Sequence, residues 1–341
     1  STRTQRGWPR EKAHPLCLPP LGAPPIFRTT SAWLQEALTD AELAELAGTE
    51  GFADSIGVLS LHGAVGLRSA SPLGACTQLG VGSGSEVSAA SRLRDIRGLS
   101  ACKRLKSLSL TECNRLKDLR GLAGCTELSS LYANWCERLV DISDLHECKR
   151  LFFLDLTGDA SLSSLSGLAS CGTLRTLLLS RMPCLSDMSE LAGCRRLASV
   201  DASDCPRLTD VSALGSCPAL KTLNLPGAPR RAGEDPGCCP LLTAVQGLEG
   251  CGALLEADLS GCQSLEDVSA LGGCRSLQKE LRVLNLSGCK RLSDVSGLQY
   301  CKELIWLDLS VCDNLADVSM LTNCQKLVSV NFSNSHRLPD V

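Results

Sequence analysis

A 23-residue period runs through most of this sequence and constrains its architecture more than any other feature. Residues 105–127 read LKSLSLTECNRLKDLRGLAGCTE, and residues 128–150 read LSSLYANWCERLVDISDLHECKR in the same frame. Further clean copies begin at Leu151, Leu174, Leu197, Leu281, Leu304 and Leu327. A fixed period of this length is typical of a solenoid, in which every unit packs only against its neighbours.

Less regular units extend the repeat region in both directions. Residues 56–78 fit the frame, and residues 79–104, 220–253 and 254–280 fit if small insertions are allowed. We therefore predict about twelve units over residues 56–341, with the last one truncated. Aromatic residues make up only 3% of the chain while apolar residues make up 44%, so the core must be thin and built from small aliphatic side chains.

The consensus LxxLxLxxCxxLxDVSxLxxCxx predicts the structure of one unit. Its first half alternates apolar and polar residues with period 2, which is the pattern of a short strand with one buried face. Its second half returns the chain through a turn and one or two helical or 3₁₀ turns. The predicted fold class is therefore an α/β solenoid, with a concave parallel β-sheet and short helical or 3₁₀ segments on the convex side.

This consensus resembles the leucine-rich-repeat family, with Cys where the usual motif has Asn. The half D-[VIL]-S-x-L is similar to the short repeats of the internalin type. The resemblance covers residues 56–341 and implies a horseshoe-shaped solenoid. It implies a fold rather than a particular partner.

The residues before the repeats have a different character. Residues 1–30 contain six of the fifteen prolines and a basic bias, which predicts a disordered or loosely packed segment. Residues 31–47 show helical spacing, and Thr39 and Glu42 form a T-x-x-E capping box. We predict that residues 31–55 form a helical cap on the first repeat.

Most of the 21 cysteines fall into two columns of the repeat. The first column follows the strand and contains Cys113, Cys136, Cys205, Cys239, Cys262, Cys289 and Cys312. The second closes the repeat and contains Cys76, Cys102, Cys125, Cys148, Cys171, Cys194, Cys217, Cys251, Cys274, Cys301 and Cys324. Stacked side chains point in parallel and pair poorly as disulfides, and the spacing lacks the CxxC pattern of zinc sites. We expect reduced, buried thiols and hence a reducing compartment, the cytoplasm.

An aspartate column precedes the return half of the repeat. Its members are Asp95, Asp118, Asp141, Asp187, Asp210, Asp267, Asp294, Asp317 and Asp340. A calcium ladder is one interpretation. Independent turn caps, which accept backbone N–H groups, are the interpretation we favour, because Ser164 and Ala244 interrupt the column.

Other classes of function find little support in the sequence. The formal net charge of −3 gives no overall attraction to nucleic acid or anionic membranes, and no long apolar run predicts a membrane span. The four histidines are scattered, and catalytic motifs such as HExxH, a P-loop or GxSxG are absent from the sequence. We predict a non-enzymatic protein that needs no cofactor and no metal.

Candidate partner-binding residues lie at the exposed positions of the strands. Four of the eleven aromatic residues, Tyr132, Trp135, Phe153 and Trp306, fall there. Exposed aromatic residues near an arginine are typical of interface hot spots. The candidate residues are Tyr132, Trp135, Phe153, Asp155, Leu178, Arg181, Trp306 and Asp308. A second interpretation is that Tyr132 and Phe153 shield an edge contact or a terminal segment that folds back.

Two further surfaces are candidates for binding. The strand face becomes acidic and amide-rich toward the C-terminus, at Asp201, Asn224, Asp258, Asn285, Asp308 and Asn331. A basic flank precedes the strands at Lys103, Arg104, Lys149, Arg150, Arg195, Arg196, Arg275, Lys302 and Lys326. The flank fits an acidic protein surface or RNA, or a solvated edge that keeps the strand ends soluble. The insertion at residues 226–238 is either a partner-specific loop or a tolerated one.

Together these features predict an intracellular scaffold or adaptor that binds a protein partner on its concave strand face. A ubiquitin-ligase substrate receptor is an alternative, since cysteine-bearing leucine-rich repeats resemble those of F-box proteins. Those repeats are longer, however, and no F-box-like helical triplet is apparent before Ile56. The other alternative is a structural component of a cytoskeletal, flagellar or ribonucleoprotein assembly.

Overall fold

The structure is a computed structural model that describes residues 30–33, 39–48, 56–60, 67–72, 92–226, 239–273 and 280–338. Several sequence predictions concern residues outside these ranges. They include the loosely packed segment up to residue 29, the insertion at residues 227–238, and the side chains of Cys76, Cys274, Arg275 and Asp340.

Ten short strands form one parallel sheet in which each strand lies beside its neighbours in sequence. The strands are β3 Ser107–Ser109, β4 Ser130–Tyr132, β5 Phe153–Asp155, β6 Thr176–Leu178, β7 Ser199–Asp201, β8 Thr222–Asn224, β9 Glu256–Asp258, β10 Val283–Asn285, β11 Trp306–Asp308 and β12 Ser329–Asn331. The register places like positions side by side, so that Leu108 pairs with Leu131 and Leu131 with Leu154. The predicted alternation holds, because the middle residue of each strand points into the core and its neighbours face outward.

The return half of most repeats forms a 3₁₀ helix. These helices are Arg97–Ala101, Leu122–Gly124, Ser143–Glu147, Leu168–Ser170, Ser189–Gly193, Ser212–Ser216, Leu248–Gly250, Ser296–Tyr300 and Ser319–Asn323. The repeat with strand β9 has instead the short α-helix Ala270–Gly273. In each repeat a leucine of this segment packs inward, as Leu145 and Leu191 do. This is the predicted α/β solenoid with a leucine-rich-repeat architecture.

The cysteines belong to the core that connects the repeats. All 17 described cysteines are reduced thiols, and all except Cys184 are buried. Many thiols donate a hydrogen bond to a carbonyl oxygen of the preceding repeat. The Cys125 thiol donates to the Leu99 carbonyl and the Cys136 thiol to the Leu110 carbonyl, each at a distance of 3.2 Å. The prediction of buried and reduced register cysteines is confirmed for the described residues.

The aspartate column caps turns, as predicted. The Asp210 carboxylate accepts the Ser212 backbone N–H at 2.7 Å, and the Asp141 carboxylate accepts that of Ser143 at 2.9 Å. The same bond recurs at Asp95, Asp118, Asp187, Asp267, Asp294 and Asp317. Each of these bonds forms within one turn, which is the geometry of independent caps.

The N-terminal elements differ in part from the prediction. Helix α1 is Asp40–Ala47, and the capping box is confirmed, since the Glu42 carboxylate accepts the Thr39 N–H at 2.8 Å. The prediction placed residues 31–33 in a helix, which is wrong. They belong to strand β1, Thr30–Trp33, which pairs in parallel with strand β2, Ile56–Ser60. Pairing with a neighbouring strand outweighs local helical propensity here.

Strand β2 of the first repeat pairs with β1 in a two-stranded sheet. The strand position of the second repeat, between β2 and β3 in the sequence, lies outside the described residues, so the continuity of the sheet over the first two repeats stays a prediction. Helix α1 contacts the same repeat: the Asp40 carboxylate accepts the N–H groups of Arg68 and Ser69, and Leu43 is buried in the common core. None of the described helices has the length and apolar character needed to cross a membrane.

Candidate functional site

The strand face of the ten-stranded sheet presents three sets of outward side chains. Phe153 and Trp306 stand at the first position of their strands, and both are half-buried rather than exposed. The third position holds Tyr132, Asp155, Leu178 and Asp308. Trp135 and Arg181 lie three residues beyond the ends of β4 and β6, at the turns that leave the sheet.

Tyr132 and Phe153 form an aromatic pair across adjacent strands. Their ring centroids are 4.9 Å apart, and the ring planes are inclined by 39°. Strands β4 and β5 pair directly, which brings a third-position and a first-position side chain within diagonal reach. The Tyr132 side chain remains 37% exposed. The predicted adjacency of these two rings is confirmed.

Trp135 has a left-handed backbone with φ of 60°, and its indole lies over Gly158 of the next repeat. A Cβ built on Gly158 would stand 2.4 Å from Cε3 of the indole, so no side chain fits beneath the ring. The Trp135 N–H donates to the Thr157 carbonyl at 2.7 Å, which fixes its backbone to that repeat. The ring is thus held in place while 40% of the residue stays exposed.

Arg181 occupies the position of Trp135 two repeats later, and its side chain reaches back to the indole. Its guanidinium carbon lies 5.9 Å from the centroid of the Trp135 ring, a cation–π distance. On its other side, Arg181 Nε is 3.8 Å from a carboxylate oxygen of Asp204, whose side chain is largely buried. Arg181 therefore bridges an exposed indole and a fixed carboxylate.

Asp155 and Leu178 complete the cluster, since Tyr132, Asp155 and Leu178 are neighbours in the register of β4, β5 and β6. One Asp155 oxygen accepts the Thr157 N–H at 2.9 Å, so that oxygen holds a turn. We call the six residues Tyr132, Trp135, Phe153, Asp155, Leu178 and Arg181 the aromatic patch.

Trp306 and Asp308 lie elsewhere on the sheet. Strand β11 is six strands from β5, about 29 Å away at ~4.8 Å per strand. The two Asp308 oxygens accept the Ser310 N–H at 2.8 Å and the Asn331 amide at 3.0 Å. The structure does not bring these two candidates into the aromatic patch.

The acidic and amide-rich column has a structural role that the sequence analysis missed. Asp201, Asp258 and Asn285 each accept the backbone N–H of the serine two residues later. The D/N-x-S spacing could have revealed this role in the sequence. The same spacing marks the aspartate column, whose carboxylates cap the turn before each return segment. These oxygens are therefore less available to a partner than the sequence suggested.

The basic flank is exposed at every described position. Lys103, Arg104, Lys149, Arg150, Arg195, Arg196, Lys302 and Lys326 line the edge that precedes the strands. Two of them pair with acidic residues of the preceding repeat, Arg150 with Glu127 and Lys326 with Glu303. Phe152, which the sequence pattern did not single out, is 45% exposed on the same edge beneath Arg175.

No group of His, Cys, Asp and Glu residues within the described part of the chain is arranged to hold a metal ion. Burial makes the thiols poor ligands and nucleophiles, because only thiolates serve these roles. It raises the pKa of Cys125, Cys148 and Cys194 to about 12.

Comparison with known structures identifies this architecture. Internalin InlF of Listeria monocytogenes matches with a TM-score of 0.55 and 19% identity, over 87% of this chain and 90% of that one. The leucine-rich-repeat protein LIC12759 of Leptospira interrogans matches with a TM-score of 0.55 and 17% identity, over 88% and 81%. A chain of the LRIM1/APL1C complex matches with a TM-score of 0.50 and 19% identity, over 69% and 41%.

These similarities show the fold alone. No protein-family model matches the sequence, and a search of curated proteins finds no match.

Proposed function

Because the chain has the leucine-rich-repeat fold, we propose that it is a non-enzymatic scaffold that binds a protein partner through the aromatic patch. The observations that carry this proposal are two ordered contacts, the Tyr132–Phe153 ring pair and the Trp135–Arg181 cation–π pair, on a sheet of mostly small polar residues. One of the similar structures, LRIM1/APL1C, is itself a protein complex.

The chemistry of the patch suits protein recognition. Tryptophan, tyrosine and arginine are the residues most enriched in interface hot spots. Trp135 and Arg181 are already restrained by Gly158 and Asp204, so they lose less conformational entropy on binding than free surface side chains would. A partner that covers the Trp135 ring would also exclude water from its contact with Arg181.

We further propose that the protein works in a reducing compartment such as the cytoplasm. The free thiols that donate to neighbouring carbonyls support this, because oxidation would remove those hydrogen bonds. The roles of ubiquitin-ligase substrate receptor and assembly component stay predictions.

Affinity capture with matched variants tests the function. The wild-type chain, Tyr132→Ala, Trp135→Ala and the control Ser199→Ala are immobilised and exposed to the same extract, and the bound proteins are quantified. The proposal expects a protein retained by the wild type and the control, and lost from both patch variants. Equal retention by all four chains would remove the patch as the binding site.

A further inference from the structure

A groove on the basic flank lies outside the aromatic patch. It has a volume of about 370 Å³ and is lined by Lys106, Glu127, Ser129, Arg150, Phe152, Thr173, Arg175 and Arg196. These residues occupy two equivalent positions in each of four consecutive repeats, so the groove runs across the strands. Three repeat spacings of ~4.8 Å give it a length of about 14 Å, enough for about four extended residues.

The charges in the groove are unbalanced. Arg150 pairs with Glu127, whereas Lys106, Arg175 and Arg196 form no ion pair with any residue that the structure describes. Arg175 is held over the Phe152 ring at 5.6 Å, which orients its guanidinium by a cation–π contact. Three exposed cations beside one aromatic ring favour a ligand that carries carboxylates next to an apolar group.

Two hydroxyl groups in the groove favour a peptide over a nucleic acid as its ligand. The Ser129 hydroxyl donates to the Lys106 carbonyl at 2.9 Å, and the Thr173 hydroxyl donates to the main chain at 2.8 Å. Since their hydrogens are committed, their remaining lone pairs can accept hydrogen bonds. Backbone N–H groups of a peptide supply such donors, while a phosphate and sugar backbone supplies fewer.

We propose that this groove binds an acidic, extended peptide segment of a partner protein, as a second site separate from the aromatic patch. Guanidinium groups of Arg175 and Arg196 bind its carboxylates, Phe152 packs against an apolar side chain, and Ser129 and Thr173 accept backbone N–H groups. The site needs no metal and no covalent step.

Fluorescence anisotropy with a labelled octapeptide of glutamates around one central leucine tests the proposal. We expect saturable binding to the full chain that weakens as salt concentration rises. The double variant Arg175→Glu/Arg196→Glu should bind at least about tenfold more weakly. The control Arg138→Glu/Arg207→Glu makes the same charge change at exposed residues outside the groove lining and should bind within about twofold of the wild type.

Three outcomes would overturn the proposal. They are no binding by the wild type, equal loss in the control double variant, and tighter binding of a single-stranded oligoribonucleotide than of the peptide. The milder double variant Arg175→Gln/Arg196→Gln, with a melting curve, separates lost binding from lost folding. Tyr132→Ala should leave peptide binding unchanged, so failure of this site and failure of the aromatic patch are distinguishable.

Discussion

The Arg181 guanidinium lies 5.9 Å from the centre of the Trp135 ring, although the two residues belong to repeats that are not adjacent. The intervening repeat has Gly158 at the equivalent position, where a Cβ would collide with the indole. The missing side chain therefore lets two exposed residues meet over the repeat that separates them. This contact joins the side chains that we propose as the centre of the binding surface.

Single alanine substitutions in the aromatic patch should weaken partner binding by about 2 kcal/mol or more, the usual size of a hot-spot truncation. Tyr132→Ala and Trp135→Ala are the variants, and titration calorimetry with the captured partner is the measurement. Ser109→Ala and Ser199→Ala lie on the same strand face and should change the affinity by less than about 0.5 kcal/mol. If the patch variants bind normally but melt early, the rings pack the fold rather than a partner.

Gly158→Ala should lower both stability and partner affinity. The residue has φ of +77°, where alanine costs about 1 kcal/mol, and the added Cβ must displace the Trp135 ring. In a Trp135→Ala background the collision is absent, so a double-mutant cycle should show coupling between the two sites. Gly288→Ala is the matched control, since Gly288 has φ of +74° and the nearest atoms to its Cβ position lie 3.5 Å away, an ordinary contact distance. Additive effects at 135 and 158 would contradict the packing argument.

The fold was largely predictable because the period fixes both strand and turn positions. The buried leucines and the aspartates that cap most return segments follow from residue types at fixed spacing. The contacts of the patch were not predictable in the same way. The Trp135–Arg181 contact depends on a left-handed backbone and on the absence of a side chain at Gly158, and neither has a signal in an apolar and polar pattern.

Two other features escaped the sequence analysis for physical reasons. Phe152 directly precedes Phe153, and the repeat pattern drew attention only to Phe153. The structure shows that the Phe152 side chain lies on the basic edge under Arg175. Residues 31–33 lie within a segment of helical spacing, yet pairing with β2 makes them a strand. Pairing between segments distant in sequence is not encoded by local periodicity.

Asp210→Ala should lower the free energy of unfolding by roughly 1 kcal/mol without changing partner binding. The carboxylate accepts the Ser212 N–H at 2.7 Å and the Ser212 hydroxyl at 2.9 Å, and both bonds disappear with the side chain. Asp210→Asn is the control, because its carbonyl oxygen can still accept the N–H. Urea titration measures the difference. A calcium-dependent rise in melting temperature would instead favour the ion ladder.

Thiol labelling of the native chain should reach only a few of the 21 cysteines. Among the described cysteines only Cys184 is partly exposed, so it should react first, and Cys184→Ser should remove that fast phase. Burial raises the pKa of Cys205 and Cys312 to about 12, so their reactive thiolates stay scarce at neutral pH. Rapid labelling of most thiols without denaturant would disprove the closed cysteine core.

Asp159 occupies a position of the cysteine column, and its side chain is fully buried. One oxygen accepts the Cys136 N–H at 2.7 Å, while the other has no hydrogen-bond partner. At the same position of a later repeat, Ser335 accepts the Cys312 N–H and donates to the carbonyl 26 residues earlier. The corresponding carbonyl for Asp159 belongs to Ala133, and a protonated carboxyl group could donate to it as a thiol or hydroxyl does.

We therefore expect Asp159 to be neutral at pH 7 and to make stability depend on pH. Burial, with a smaller contribution from the charge of Asp155, raises the pKa of Asp159 from 3.8 to about 9. The unfolded chain releases this proton near pH 4 and the folded chain only near pH 9, so stability from this group is lost as pH rises between the two. Asp159→Asn keeps an acceptor for Cys136 and supplies an amide donor without ionising. In urea unfolding between pH 5.5 and 7.5, the wild type should lose about 1.4 kcal/mol per pH unit relative to this variant. Parallel pH profiles for the two chains would show that Asp159 is ionised in the folded protein.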